Sequence, residues 1–221
     1  MKKLFNLSIA LIVISIVIFQ SGCLNEKAKD QYPDVTASAF TVNGTVKLKL
    51  TDINGTNLVN WKFGEAVISA IAGGSDVIAT SKVEADGTFV LGLPATVSGI
   101  YFSNLSNIVY QQGGTIKVTP ETVRLFGSTQ FKVDYTDKGI AKSIFIGLST
   151  LKTDLSVNHT FYFNFYDADG TFIGKGTAGN VFNWTFTKGW GIVESYVTNT
   201  TTNIFNSKSI TVAPDNAVWV N

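Results

Sequence analysis

The sequence predicts an all-β chain, one or two antiparallel β-sandwiches behind an export signal. From Val35 onward it is rich in Val, Ile, Thr, Phe and Tyr, residues that suit pleated, half-buried surfaces. Apolar and polar residues alternate through most segments, and turn residues recur at intervals of roughly 8–12 positions. No segment after Val35 shows a convincing helical period.

In chain order, residues 40–50 alternate almost throughout. Residues 67–72 form a more buried run closed by Gly73 and Gly74, and 78–83 lead to the turn Ala85-Asp86-Gly87. Residues 88–93 follow and stop at Pro94. Residues 115–118 precede Pro120, 130–135 alternate strictly, and 143–148 are mostly apolar. Residues 160–166 make the strongest strand signal; 171–174 resume after Asp167-Ala168-Asp169-Gly170, so the two read as a hairpin. Residues 181–187, 192–197, 209–212 and 218–220 complete the series. A boundary near Gln111-Gln112-Gly113-Gly114 divides the body into two domains, 39–113 and 114–221, in preference to one larger sandwich. Both are admissible domain sizes.

The N-terminus carries an address. Lys2 and Lys3 are followed by the apolar run LFNLSIALIVISIVIF from Leu4 to Phe19. Gln20-Ser21-Gly22 then places small residues before Cys23. This is the layout of a removed signal peptide over residues 1–22, and the run is short of the ~20 residues a spanning helix needs. Ser21-Gly22-Cys23 resembles the lipobox of prokaryotic lipoproteins, which implies cleavage before Cys23 and diacylation of it; Gln20 stands where that motif usually has an aliphatic residue. Two or more acyl chains anchor a protein stably where one does not. Residues 23–38, polar at first, read as a flexible tether. The expected location is therefore extracytoplasmic and membrane-anchored, at an outer membrane or cell surface.

Composition closes several functions. The chain has 17 Lys+Arg, 16 Asp+Glu and a net charge of +1; cleavage removes Lys2 and Lys3 and leaves it near neutral. A nucleic-acid binder needs a basic surface. With one Cys and one His, neither a disulfide framework nor a His/Cys metal centre can be built. No metal and no cofactor is expected.

The first half carries a likeness. Asn43-Gly44-Thr45-Val46, a loop with Asp52-Ile53-Asn54-Gly55, the strand 66–70, and 83–94 containing Asp86-Gly87-Thr88-Phe89 and ending Leu93-Pro94 resemble the carboxypeptidase-regulatory or transthyretin-like sandwich. The likeness covers Asn43 to Pro94. It implies Ig-like or transthyretin-like sandwiches and a non-catalytic module of Bacteroidetes-type surface lipoproteins. Residues 182–193 and 214–220 look like the C-terminal region of uncharacterised lipoproteins of the same kind.

Chemistry-bearing patterns are sparse. Asp167 and Asp169 lie two apart in a turn, and the Ca²⁺-loop pattern fails at Thr171 and Ala178. The favoured reading is a turn, for these and for Asp52 to Asn57. His159 has no Gly-x-Ser-x-Gly partner and reads as an exposed loop histidine. Gly174-Lys175-Gly176-Thr177-Ala178-Gly179 spells a dinucleotide fingerprint but is followed by a strand pattern where a helix is required, so it reads as a β-turn. In residues 160–166, Phe161, Phe163 and Phe165 share one face, the core face. Tyr162, Asn164 and Tyr166 share the other, either a stacking platform for a sugar or an ordinary outer face. Trp184 is in phase with Phe182 and Phe186 and reads as core. Trp190, between two glycines, is the tryptophan best placed for exposure, with a packed turn anchor as the favoured alternative.

The sequence thus reads as a non-catalytic, lipid-anchored surface module that binds or interacts. The membrane is engaged through Cys23, and a glycan or protein partner through Tyr162, Asn164, Tyr166 and Trp190. The rivals are a carbohydrate-binding accessory lipoprotein of a polysaccharide-uptake system and an adhesin or fimbria-like subunit that pairs strands with a partner.

Overall fold

The computed structural model describes residues 32–52, 55–127, 129–152, 156–199 and 201–221. The expected signal peptide, Cys23 and most of the tether lie outside the described residues. The fold is all-β, as expected. In order, the strands are β1 (Val35–Thr36), β2 (Phe40–Asp52), β3 (Gly55–Asn60), β4 (Ala66–Ala72), β5 (Asp76–Val83), β6 (Thr88–Leu93), β7 (Thr96–Val97), β8 (Ser103–Asn104), β9 (Lys117–Thr119), β10 (Arg124–Phe126) and β11 (Gln130–Asp137). Then come β12 (Ile140–Leu151), β13 (Val157–Tyr166), β14 (Gly170–Lys175), β15 (Val181–Phe186), β16 (Gly189–Asn199), β17 (Ile204–Ile210) and β18 (Val218–Val220).

Where sandwiches were expected, strands close into a ring. The order is β11-β4-β5-β6-β2-β18-β12, and β12 pairs back onto β11 from Phe131↔Ile146 to Asp137↔Ile140. A closed barrel leaves few open edges. Pairing also crosses the expected boundary at 113/114. β4 of the first half pairs with β11 of the second, Ile68 opposite Val133. The C-terminal β18 pairs in parallel with β2, Trp219 opposite Val46. The barrel core draws on both halves: Ile68, Val83, Leu91 and Leu93 with Val133, Phe131, Phe163 and Trp219. Alternation does the sorting; in β6, Phe89, Leu91 and Leu93 point inward while Thr88, Val90 and Gly92 do not.

β12 then hands over to a second sheet, β12-β13-β16-β17-β15-β14-β9, with β10 on the far part of β13. This sheet curls around its own core of Leu125, Tyr166, Phe172, Phe182, Trp184, Phe186 and Val193. Trp184 is core, as expected, and its Nε1 donates to Ser207 Oγ at 2.8 Å.

Two local expectations are corrected. Part of the tether is structured: β1 pairs with β7, and Val35 is buried against Val97, Phe126 and Phe165. A helix where the sequence showed none, α1 (Leu105–Gln112), runs up to the expected boundary at 113/114. The Asn104 side chain caps it by accepting from the Ser106 N–H, and Gly113 ends it at φ +60°. Leu105, Ile108 and Val109, spaced i, i+3, i+4, bring one face onto the second core.

Candidate functional site

β13 explains why the expected sugar platform is closed. Its first face does what was expected: Phe161 and Phe163 enter the barrel core, and Phe165 packs with Phe126 and Trp190. On its second face Asn164 and Tyr166 are buried, and Tyr166 enters the other core. Asn164 is 4% exposed and Tyr166 1%. The Tyr166 ring stacks on Phe186 at 4.1 Å and 6°, and Asn164 Nδ2 donates to its hydroxyl at 3.3 Å. Burial pushes the Tyr166 hydroxyl pKa well above its ordinary value. Tyr162 is half-buried, and burial raises its pKa too. Reading one face as wet holds for a sheet with one solvated side; β13 is a wall shared by two cores. Trp190 is half-buried and pinned. Its Nε1 donates to the Pro94 carbonyl at 2.8 Å, and its ring meets Phe165 edge-on at 5.2 Å. It is the packed anchor.

The acids of the 167–170 turn are engaged by the protein. Arg124 donates its backbone N–H and its Nε to the two Asp167 oxygens, each at 2.7 Å. Asp169 Oδ1 accepts from the Lys188 N–H at 2.7 Å. The glycine-rich stretch is a hairpin turn, Gly176 N–H donating to Asn180 O at 2.8 Å, followed by β15.

His159 is not in a loop. It lies on β13 opposite Tyr196 of β16, with the two rings stacked at 4.7 Å. Its Nδ1 meets Glu194 Oε1, whose other oxygen accepts from Lys208 Nζ at 3.0 Å. Glu194 is buried, which raises its carboxyl pKa. Hydrogen bonds from His159 and Lys208 outweigh that and leave it below the usual value. Spacing could not show this cluster: its members come from β13, β16 and β17 and meet only through sheet register. Both Glu194 oxygens are engaged within it. Among the described residues, no three His, Cys, Asp or Glu side chains come together to hold a metal ion.

The open feature is a groove of about 610 Å³ between β2, the 211–217 segment and the shared wall, within the size range of ligand sites. Phe40 to Thr45 line it without a break; Leu148, Phe163, Ile192 and Trp219 give it apolar surface, and Lys47 is the one charged residue among the described residues that line it. Consecutive residues of a strand point to opposite faces, so an unbroken run of six marks the strand's backbone edge. β6 pairs with β2 on one side across 40–45. On the other side β18 pairs only at Val46 and Lys47.

Compared with known proteins, the chain matches no family model, no curated protein and no solved structure.

Proposed function

We propose that this is an exported, lipid-anchored protein that binds a ligand or partner in the groove along β2 and performs no chemistry. The observation that carries the binding role is the groove, open, lined by both polar and apolar residues, with a strand edge for one wall. The anchor rests on the sequence: a positive start, an apolar run, then a single Cys at the lipobox position. The likeness of Asn43–Pro94 to carboxypeptidase-regulatory modules, non-catalytic pieces of surface proteins with transthyretin-like sandwiches, points the same way.

The anchor is tested by feeding cells an alkyne fatty acid and fractionating them. The full-length chain is expected in the membrane fraction with label, and Cys23→Ser without it. An unlabelled wild-type chain, or a labelled Cys23→Ser, overturns the reading.

A further inference from the structure

We infer that the groove takes the C-terminal end of an extended polypeptide, which adds to the free edge of β2 as an extra strand. This rests on the groove being the binding site and names its occupant.

Two hydrogen bonds fix which backbone groups face the groove. The Val46 N–H donates to Gly87 O on the β6 side at 2.9 Å. The Asn43 carbonyl accepts from Trp219 Nε1 on the β18 side at 3.1 Å. Backbone groups of successive strand residues point to alternate sides, so Thr41, Asn43 and Thr45 present theirs to the groove; the Asn43 carbonyl is taken by Trp219, which leaves its N–H and the N–H and carbonyl groups of Thr41 and Thr45 for an added strand. Among the described residues no ladder runs along that edge from Phe40 to Thr45. Six residues span roughly 20 Å, the length of an ordinary strand. An edge of this kind recognises another backbone by main-chain hydrogen bonds, and apolar walls receive its alternate side chains. Phe163, Ile192 and Leu148 form such a wall.

The direction follows from what closes the groove together with the charge found at that end, which suits a carboxyl terminus and opposes an amino terminus. β18 occupies the next slot on the same edge, beginning at Val218. A strand entering beside Phe40 and running parallel to β2 must therefore end there. At that end stands Lys47, which makes no ion pair among the described residues, and no acid lines the groove. A terminal carboxylate meets the groove's single charge.

The test uses the full-length protein in detergent and two probes: a library of random decapeptides displayed with free C-termini, and a glycan array. Binding of a subset of peptides is expected. For a selected peptide, methylating alternate backbone nitrogens is expected to weaken binding about tenfold or more. Thr41→Pro, which removes an N–H from the free edge and leaves the β6 side paired, is expected to do the same. The C-terminal amide and Lys47→Gln are each expected to weaken it severalfold. The methylated and amidated peptides need no protein variant, so a misfolded Thr41→Pro does not blunt the test. No peptide bound, or bound peptides indifferent to backbone methylation, overturns the inference. Glycans bound instead and blocked by Val212→Trp overturn it while leaving the groove as the binding site. Binding of neither probe overturns both.

Discussion

The indole nitrogen of Trp219 donates to the carbonyl of Asn43 across 176 positions of chain. The bond ties the last strand to the first long one, and the same ring fills the barrel where β2 has no side chain. Val42, Gly44, Val46 and Leu48 are in inward phase on β2, and the gap at Gly44 is taken by the indole. Phe89, Phe131 and Phe163 surround that ring at 5.4, 4.9 and 5.8 Å. One residue thereby completes the core, closes the ring and forms part of the groove.

Gly44→Ala is expected to destabilise the protein. A Cβ at Gly44 would lie 2.4 Å from Trp219 Cδ1, and the surrounding rings leave the indole nowhere to retreat. Overpacking of this kind costs about 1–3 kcal/mol, read from urea unfolding. Gly92→Ala is the control: nothing lies within 4 Å of a Cβ there, and the change should stay within about 0.5 kcal/mol. Equal stability of the two variants would mean that the indole is not wedged against β2.

Tyr166→Ala separates a core residue from a sugar platform. Deleting a fully buried ring that stacks on Phe186 costs about 3–5 kcal/mol. Tyr166→Phe keeps the stack and removes only the hydroxyl that Asn164 bonds, for about 1 kcal/mol. An exposed platform predicts changes near zero for both, with loss of binding only. Unfolding curves decide between them.

Strands were legible because their signal is local. Residues 88–93 are strand over the span the alternation marks, and 160–166 fall inside β13. The helix had local signals too, Asn104 before it, Gly113 after it, and Leu105, Ile108 and Val109 at helical spacing; its polar, glutamine-rich end read as a linker. What surrounds an element is not local. The two faces of β13 differ in residue type, Phe against Tyr and Asn, yet Asn164 and Tyr166 are as buried as the phenylalanines, because sheets from distant segments cover them. Closure of the barrel depends on β4 meeting β11 and β2 meeting β18, pairings that no spacing records. The groove was unreadable for the same reason: its edge exists because β18 is only three residues long.

Asp167 is expected to be structural. It joins Arg124 with both partners mostly buried, the side chains 14% and 19% exposed, and the guanidinium also lies near the Phe102 and Tyr32 rings at 5.3 and 5.8 Å. Asp167→Asn leaves that cation without its counter-charge and should cost about 2–3 kcal/mol. Arg124→Lys loses the planar fork and the ring contacts and should also destabilise. Calcium should leave the melting temperature unchanged, because both Asp167 oxygens already accept from Arg124. A calcium-dependent rise that Asp167→Asn abolishes would show that the turn binds metal instead.

Glu194 should make stability depend on acid pH. Burial raises its carboxyl pKa, but the His159 and Lys208 hydrogen bonds outweigh this and hold the folded value below the ordinary 4.5. A depressed folded pKa means that the unfolded chain takes up the proton first on acidification. The contribution is therefore complete above the unfolded value and is lost as pH falls through the folded one. Other carboxylates are also depressed, Asp86 by Thr88 and Asp137 by Lys142, so the variant must be compared with wild type. Glu194→Gln should be less stable at neutral pH by about 1–3 kcal/mol, and the gap should narrow between about pH 5 and about pH 3. Lys208 is half-exposed, so Lys208→Met should cost under about 1 kcal/mol. Urea midpoints measured across that range give the answer. A gap between wild type and Glu194→Gln that stays constant with pH would mean that the carboxylate is not held by its bonds to His159 and Lys208.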